Sequence, residues 1–420
     1  MQILLALGLV LYPSTELRFA GLPIGPGELF LFCWMGLALT GLMLGNRVGP
    51  NTAFHHIVGF WTITGLALCL GMIVGLLVEP YQYFSGIAHD SGAYLLMFTL
   101  GVLMTLVLAN DTRRIMVVRL VVVFGAISAA LQILSSAGLF TIPGTEVWYF
   151  DRLRGWSLDP NQLAFLAIVL SLLSLHLAEH AARPLELLLA LSCFSVAITV
   201  GFLTKSDTFR LACLVAAIPF VILKGITWIA DAERAPTLKG SAVVLALAVV
   251  PVALVGSVPL APGAETKVAE GLTEVYDDDG QGDTRLHLWQ EALTIGVESK
   301  LIGFGPGPHL TSKTYKRSPP AKFESHNTPL EIFTQAGLVG SLAFVGLCAM
   351  TLLASIRARL PGLSGLILAL SLFSLFHFVL RHPIFWFGIT ICLLEAWRPT
   401  RDASKQPVQL AARTQSELCP

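Results

Sequence analysis

Gly282-Asp283-Thr284-Arg285-Leu286-His287-Leu288-Trp289, Gly303-Phe304-Gly305-Pro306-Gly307 and Ser325-His326-Asn327, the last running on into Thr328-Pro329, fall within one polar stretch, 259–327, of an otherwise apolar chain. An apolar run precedes this stretch at 239–258 and another follows at 328–356. A spanning helix needs about 20 mostly apolar residues, and both runs reach that length. The polar stretch therefore reads as a large loop outside the bilayer core. It carries an Arg-x-x-x-Trp and a His-Asn immediately before a new span.

Working outward, the chain has 420 residues, 55% hydrophobic and 13% charged. Soluble domains carry about 25% charged residues, so this composition, with a mean hydropathy of +0.73, indicates a polytopic membrane protein. The expected fold is all-α, with about 12 transmembrane helices on the length criterion. The runs are 1–14, 27–45, 56–78, 91–109, 115–139, 161–179, 185–204, 208–230, 239–258, 328–356, 362–380 and 383–397. That divides the chain into a nine-span bundle over 1–258, the loop over 259–327 with short helices, three further spans over 328–397 and a polar tail over 398–420. The N-terminus has no basic n-region and reads as a first span rather than a removed signal peptide.

The net charge is zero, which gives no bulk attraction to nucleic acid. Six of the 7 cysteines lie in apolar runs and none forms a Cys-x-x-Cys, so disulfides and zinc sites are not expected. No other metal set is expected either. Asp277-Asp278-Asp279-Gly280 lacks the full calcium-loop pattern, and His287 and His309 have no zinc-like spacing.

Charge sets the expected orientation. With the N-terminus in the cytoplasm, most basic residues of the short segments fall inside, among them Arg113, Arg114, Arg119, Arg183, Arg357 and Arg359. Both termini are then cytoplasmic and the long loop is outside. Arg18, Arg152, Arg154, Lys205, Arg210 and Arg381 remain on short outer segments, against the trend. Some of them read equally well as snorkelling interfacial residues. Helix-start signals fall on the same side: Asp159-Pro160-Asn161-Gln162, Ser206-Asp207-Thr208, Thr328-Pro329-Leu330-Glu331 and His382-Pro383. Open helix N-termini mixed with arginines suit an anionic ligand, although each cap taken singly needs no ligand to explain it.

Read together, these motifs resemble the O-antigen ligase and polymerase superfamily. Arg154-Gly155-Trp156-Ser157-Leu158-Asp159-Pro160-Asn161-Gln162-Leu163-Ala164 is similar to that family's Arg/Gly then Asp-Pro-Asn-x-Leu-Ala pattern. Arg285-x-x-x-Trp289 with Gly303–Gly307 resembles its loop. His326-Asn327, followed by Gly337-Leu338-Val339-Gly340, resembles its His-Asn and Gly-x-x-Gly block. Where the family has Ser-Arg-(Gly/Thr), this chain has Ser206-Asp207-Thr208, and Lys205 or Arg210 stands in as the nearby cation.

The resemblance implies a metal-independent, inverting glycosyltransferase without cofactor in a bacterial inner membrane, with its active face periplasmic. It would move a glycan from undecaprenyl diphosphate to a sugar hydroxyl. A polysaccharide polymerase, whose acceptor is another lipid-linked repeat unit, is favoured. A ligase acting on lipid A–core is the alternative, and a chain-length regulator is a candidate partner. A lipid-linked sugar transporter would place its ionisable groups near the midplane in two related halves, a pattern this chain lacks.

Residue chemistry fits the transfer. His326 is the expected general base, since imidazole titrates near neutral pH; its alternative is a capping-region histidine. Arg285 is the expected cation for the departing diphosphate, on an amphipathic helix from Asp283 to Val297 with Trp289 one turn on. Its alternative is a surface ion pair with Asp283 or Glu291. Arg154, Arg210, Lys205, Asn327, Trp289 and Arg381 complete the expected substrate-binding set, and Trp386 is placed near the same cavity. Gly303, Gly305 and Gly307 read as turn residues.

Overall fold

The computed structural model describes residues 1–19, 24–45, 49–78, 84–230, 281–311 and 322–398. The expected span at 239–258, most of the Pro259–Gln281 part of the loop, the Asp277–Gly280 turn and the tail lie outside them.

Eight helices among the described residues are long and apolar enough to cross a membrane. They are α2 (Pro26–Met43), α3 (Thr52–Val78), α4 (Phe84–Val107), α5 (Asp111–Ser136), α6 (Pro160–His180), α7 (Pro184–Leu203), α8 (Asp207–Ala230) and α10 (Thr328–Arg357). Three apolar helices are shorter: α1 (Gln2–Leu11), α11 (Pro361–Phe376) and α12 (Pro383–Ala396). The remaining helix, α9 (Gln281–Glu298), is the one the sequence places over 283–297. Two minimal antiparallel hairpins complete the structure, β1 (Trp148–Tyr149) with β2 (Arg152–Leu153), and β3 (Leu310–Thr311) with β4 (Lys322–Phe323).

The most enclosed long helix is α6, 83% buried over its apolar window and walled by α5, α7, α8 and α11; α3 is only 22% buried. A helix apolar all round faces lipid or core equally well, so burial here follows position in the bundle rather than sequence pattern. α11 and α12 have 16 and 14 residues, about 24 and 21 Å at roughly 1.5 Å per residue, short of a hydrocarbon core of about 30 Å. Both are core helices, and every residue from Pro383 to Leu394 is buried. The expected span 362–380 therefore ends early, at Phe376, and its last residues belong to a loop, 377–382, that joins the two short helices.

α10 explains how that loop meets the rest of the site. Its 30 residues would reach about 45 Å if straight, roughly 20 Å beyond the end of α11. Yet Thr328 at its start donates to the His377 carbonyl at 2.6 Å, and Asn327 donates to the Leu375 carbonyl at 2.9 Å. The two are reconciled by a break at Gly337, whose φ of 64° and ψ of −164° lie in a region essentially restricted to glycine. The 328–336 arm folds away from the axis of the longer 338–357 arm.

A broken helix leaves backbone groups unpaired, which costs several kcal/mol in an apolar setting. Here the glycine loop pairs them. Phe304 N–H donates to Thr334 O at 2.9 Å, Gly305 N–H to Gln335 O at 2.8 Å, and Leu338 N–H to Leu301 O at 2.9 Å. The loop also presses on α3: a Cβ on Gly75 would stand 2.3 Å from the Phe304 carbonyl oxygen. Gly303, Gly305 and Gly307 are thus more than turn residues. A Cβ on Gly303 would meet the Gln335 and Gly337 backbone at the break in α10, one on Gly305 the Met72 backbone of α3, and one on Gly307 would stand close to Ile87 of α4.

Candidate active site

One end of the bundle gathers the starts of α4, α6, α8, α10 and α12, the ends of α7 and α11, and both hairpins. Direct contacts tie them together. Arg152 Nε donates to Thr204 O at the end of α7 (3.1 Å) and its Nη2 to Asn161 Oδ1 at the start of α6 (3.2 Å). Ser206, the residue before α8, donates to the same Asn161 Oδ1 at 2.8 Å. Asp159 caps α6 by accepting from Asn161 N–H at 2.9 Å.

The cap of α10 differs from the sequence expectation. Asn327, not Thr328, is the capping residue, accepting from Leu330 N–H at 3.1 Å. Thr328 instead bridges to the 377–382 loop, donating to His377 O and accepting from Val379 N–H at 2.9 Å. Glu331 does not reach back to its own helix start. It is fully buried, accepting from Ser325 N–H at 2.7 Å and from Gln335 Nε2 at 3.1 Å.

His326 stands between these anchors with a left-handed φ of 51°, uncommon outside glycine. Trp289 Nε1 holds the preceding carbonyl, of Ser325, at 3.1 Å, and the Glu331 carboxylate holds the Ser325 N–H. With Asn327 pinned to both α10 and α11, the backbone is fixed on both sides of His326. The residue is exposed, yet surrounding protein crowds its ring. Loss of water contact there lowers its proton affinity. Glu324 and Asp159 act against that change, and Arg285 and Arg381 reinforce it. The net effect favours the neutral ring, the form that can take up a proton.

The expected cations divide by their partners. Arg154 Nη2 is paired with Glu16 and with Glu146, each at 2.8 Å, and its guanidinium lies 5.9 Å from the Tyr149 ring. It fastens the β1–β2 hairpin to the N-terminal segment. Lys205 pairs with Asp151, and Arg210 with Asp207 at 3.1 Å, the residue where the family has arginine. Arg381 is clasped by Asp90 (Nη1 to Oδ1, 2.7 Å) and by Glu324 through Nη2, and packs over Phe378. Burial alone would weaken its hold on its proton; the two carboxylates more than reverse that.

Arg285, one turn before Trp289 on α9, makes no ion pair with any described residue. Glu291 is occupied by Thr311 N–H at 2.7 Å and is not its partner. Trp386 is core rather than cavity lining: fully buried, it donates to Leu380 O at 2.8 Å and packs against Trp61 with ring centroids 4.9 Å apart.

Several residues here carry no motif in the sequence. Among the described residues Arg152 makes only neutral hydrogen bonds, to Thr204 O and Asn161. His377, with a buried Nε2 that has no partner, is pushed down to about 3 by burial and then by Arg285, His326 and Arg152. Asp90 and Gln335 join α4 to α10 through Gln335 Nε2 and Asp90 Oδ2 at 3.4 Å, and Tyr94 donates to Gln335 Oε1. A lone Asp or Gln in an apolar run was the available signal. Among the described residues no group of three or more His, Cys, Asp or Glu is arranged to hold a metal ion.

Burial also lowers His382, to about 4, aided by Arg381 and His377. Depressed histidines in the folded state mean that the unfolded chain binds more protons below its pKa of about 6.5. Stability present above that pH is therefore lost as pH falls toward 4, by up to about 1.4 kcal/mol per unit for each of His377 and His382. Melting temperatures in detergent should be flat from pH 8 to 7 and fall steadily below 6.5. A melting temperature independent of pH down to 4.5 would rule out burial of these two rings in the neutral form.

A family model described as O-antigen ligase matches residues 190–345. The matched segment holds Lys205, Arg210, Arg285, Trp289, His326, Asn327 and the Gly337 break, and leaves out Arg152, Arg154 and Arg381. No curated protein matches the chain significantly. The family implies a membrane glycosyltransferase of the ligase or polymerase type, acting on a lipid-linked glycan and a membrane acceptor. With eight helices able to cross a membrane among the described residues, the chain is a multi-pass membrane protein, and its residues 190–345, which enclose the His326 loop, are similar to the O-antigen ligase family.

Proposed function

We propose that the protein transfers a glycan from undecaprenyl diphosphate to a sugar hydroxyl at the periplasmic face of the inner membrane. In this reading it acts as a polysaccharide polymerase, extending one lipid-linked repeat unit with another. The observation that carries the reading is His326: an exposed imidazole whose charged form is disfavoured, fixed on both sides by backbone anchors, with Arg285, which has no ion-pair partner among the described residues, inside its electrostatic reach.

Each group has a defined part in the step. His326 removes the proton of the acceptor hydroxyl as its oxygen attacks the anomeric carbon. The bond from that carbon to the diphosphate oxygen breaks with its electron pair on the diphosphate, and attack from the opposite face inverts the centre. Arg285 balances the charge gathering on the leaving group, and a fixed cation in a partly dry site does this far better than water. Arg152 supplies a second guanidinium, one without a carboxylate partner among the described residues. Trp289 and Asn327 act by holding the His326 loop. Arg154, paired with Glu16 and Glu146, acts as scaffolding around it, and Arg381 holds Asp90 and Glu324 in place.

Arg285→Ala should lower kcat about 10²- to 10³-fold, the usual cost of losing one aimed donor, with KM for the donor changing less. Arg285→Lys should recover part of the loss, since ammonium restores charge but not the two-pronged grip. Steady-state transfer in lipid measures both; an Arg285→Ala enzyme within twofold of wild type would remove Arg285 from the step.

The function itself is tested with purified protein in lipid and a lipid-linked oligosaccharide. A ladder of longer lipid-linked chains without any added acceptor establishes a polymerase. Transfer only when lipid A–core is supplied makes it a ligase. No transfer under either condition overturns the glycosyltransferase reading.

A further inference from the structure

A recess of about 410 Å³ is lined by Ser85, His89, Asp90, Lys322, Glu324 and Arg381, and Glu324 stands two residues before His326 in the chain. We propose that this recess receives the terminal sugar of the acceptor and selects an uncharged saccharide. The inference rests on the transferase reading above and adds to it the location and chemical class of the second substrate.

Three observations support it. The first is place. Glu324 is two residues before His326, and Glu324 and Arg381 are two of the four charges that act on the His326 ring. A sugar held by these groups presents a hydroxyl next to the base. The volume lies within the range of about 300–1,000 Å³ usual for small-molecule sites.

The second is the character of the lining. Carboxylates are acceptors with lone pairs to spare, and guanidinium and ammonium groups are donors, so together they match the alternating donors and acceptors of a polyhydroxylated ring. They are also held in place. Arg381 bonds one oxygen of Asp90 and one of Glu324, and Gln335 supports the other Asp90 oxygen. The second oxygen of Glu324 makes no hydrogen bond to any described residue. Acceptors fixed in advance lose little freedom when a ligand arrives.

The third is charge. Asp90 and Glu324 balance Arg381 and Lys322, so the recess carries no formal excess. Arg285 and Arg152 have no carboxylate partner among the described residues. The two sets of groups therefore differ: the cations without a described carboxylate partner suit a diphosphate, and the balanced recess with its two fixed acids does not. A diphosphate or a uronate entering the recess would meet Asp90 and Glu324 with their cation already engaged. Unfavourable contacts of that kind are how a site rejects the wrong ligand.

The test uses the full chain in lipid nanodiscs without donor. The probe is a trisaccharide of neutral hexoses carrying a diazirine, photolysed with and without excess untagged trisaccharide and mapped by mass spectrometry. We expect competed labelling in 84–90 and at 308 or 322–324. Labelling should fall at least tenfold in Ser85→Phe, which fills the recess from its exposed rim without touching the Arg381 bonds. A probe ending in a uronic acid should label at least tenfold less. Pro308→Phe blocks the opposite wall and guards against local misfolding at Ser85, with melting temperature as the control.

Labelling that is absent, scattered, unchanged in both variants or equal for the uronate overturns the proposal. Transfer measured in parallel separates the two readings. Transfer without competed labelling in the recess, or with an unchanged acceptor KM in Ser85→Phe, rejects the recess and leaves the transferase. Competed labelling without transfer under any condition keeps a saccharide site and rejects the transferase.

Discussion

His326→Ala should abolish glycan transfer, with a loss in kcat of about 10²- to 10⁴-fold, the range for removing a general base. Binding of lipid-linked donor should change little, because the diphosphate is assigned to Arg285 and Arg152. The acid limb of the wild-type rate profile should lie below the ordinary histidine value, since burial, Arg285 and Arg381 together lower the proton affinity of the ring against Glu324 and Asp159. Activity should therefore hold at pH 6.5 and fall only in more acid solution. Comparing transfer by the variant and wild type in the same lipid decides the matter: a His326→Ala enzyme with full activity would sink the assignment, and a fall in donor affinity equal to the fall in rate would make His326 a binding group.

Gly337→Ala should be as damaging by a different route. An added Cβ would sit 2.1 Å from the Leu301 carbonyl oxygen and 2.5 Å from the Ile302 carbonyl carbon, backbone atoms with no freedom to swing aside. The φ and ψ of Gly337 add about 1–3 kcal/mol of strain for any residue with a Cβ. Relieving both would straighten α10, separate Thr328 from His377 and strip the Phe304, Gly305 and Leu338 N–H groups of their partners. We expect destabilisation of at least about 3 kcal/mol and loss of transfer, even though position 337 is remote from the reacting atoms. Thermal melting in detergent with activity in lipid checks both. An alanine variant that melts with wild type and retains activity would mean that the break in α10 is not required.

Particular elements show how far local signals reach. Asp159-Pro160 announces the start of α6, and the carboxylate caps it as expected. The pattern over 283–297 locates α9 to within two residues at either end. α4 shows the opposite. Its expected start, 91, leaves out His89 and Asp90, yet the helix runs from Phe84 and buries Asp90 to 1% exposure. What makes that tolerable is Arg381, 291 residues away, with Gln335 on the other oxygen. The identity of the cap on α10 was off by one residue because Asn and Thr both cap well, and only the return of the 377–382 loop assigns Thr328 to another partner.

The amino-acid sequence alone determined the apolar helices, the polar loop between them, several caps and the His-Asn and Arg-x-x-x-Trp motifs. Hydrophobic run length and capping depend on residues within a turn or two of one another, so they can be read along the chain. Only the tertiary structure decided which cations are neutralised, where α10 breaks and how short α11 and α12 set their loop against the site. Charge compensation is a matter of distance between segments far apart in sequence: Arg154 meets Glu16, Arg381 meets Asp90, and Arg285 meets no described acid. A helix break is unfavourable taken by itself and persists because a remote backbone, Leu301 to Gly305, supplies the missing partners.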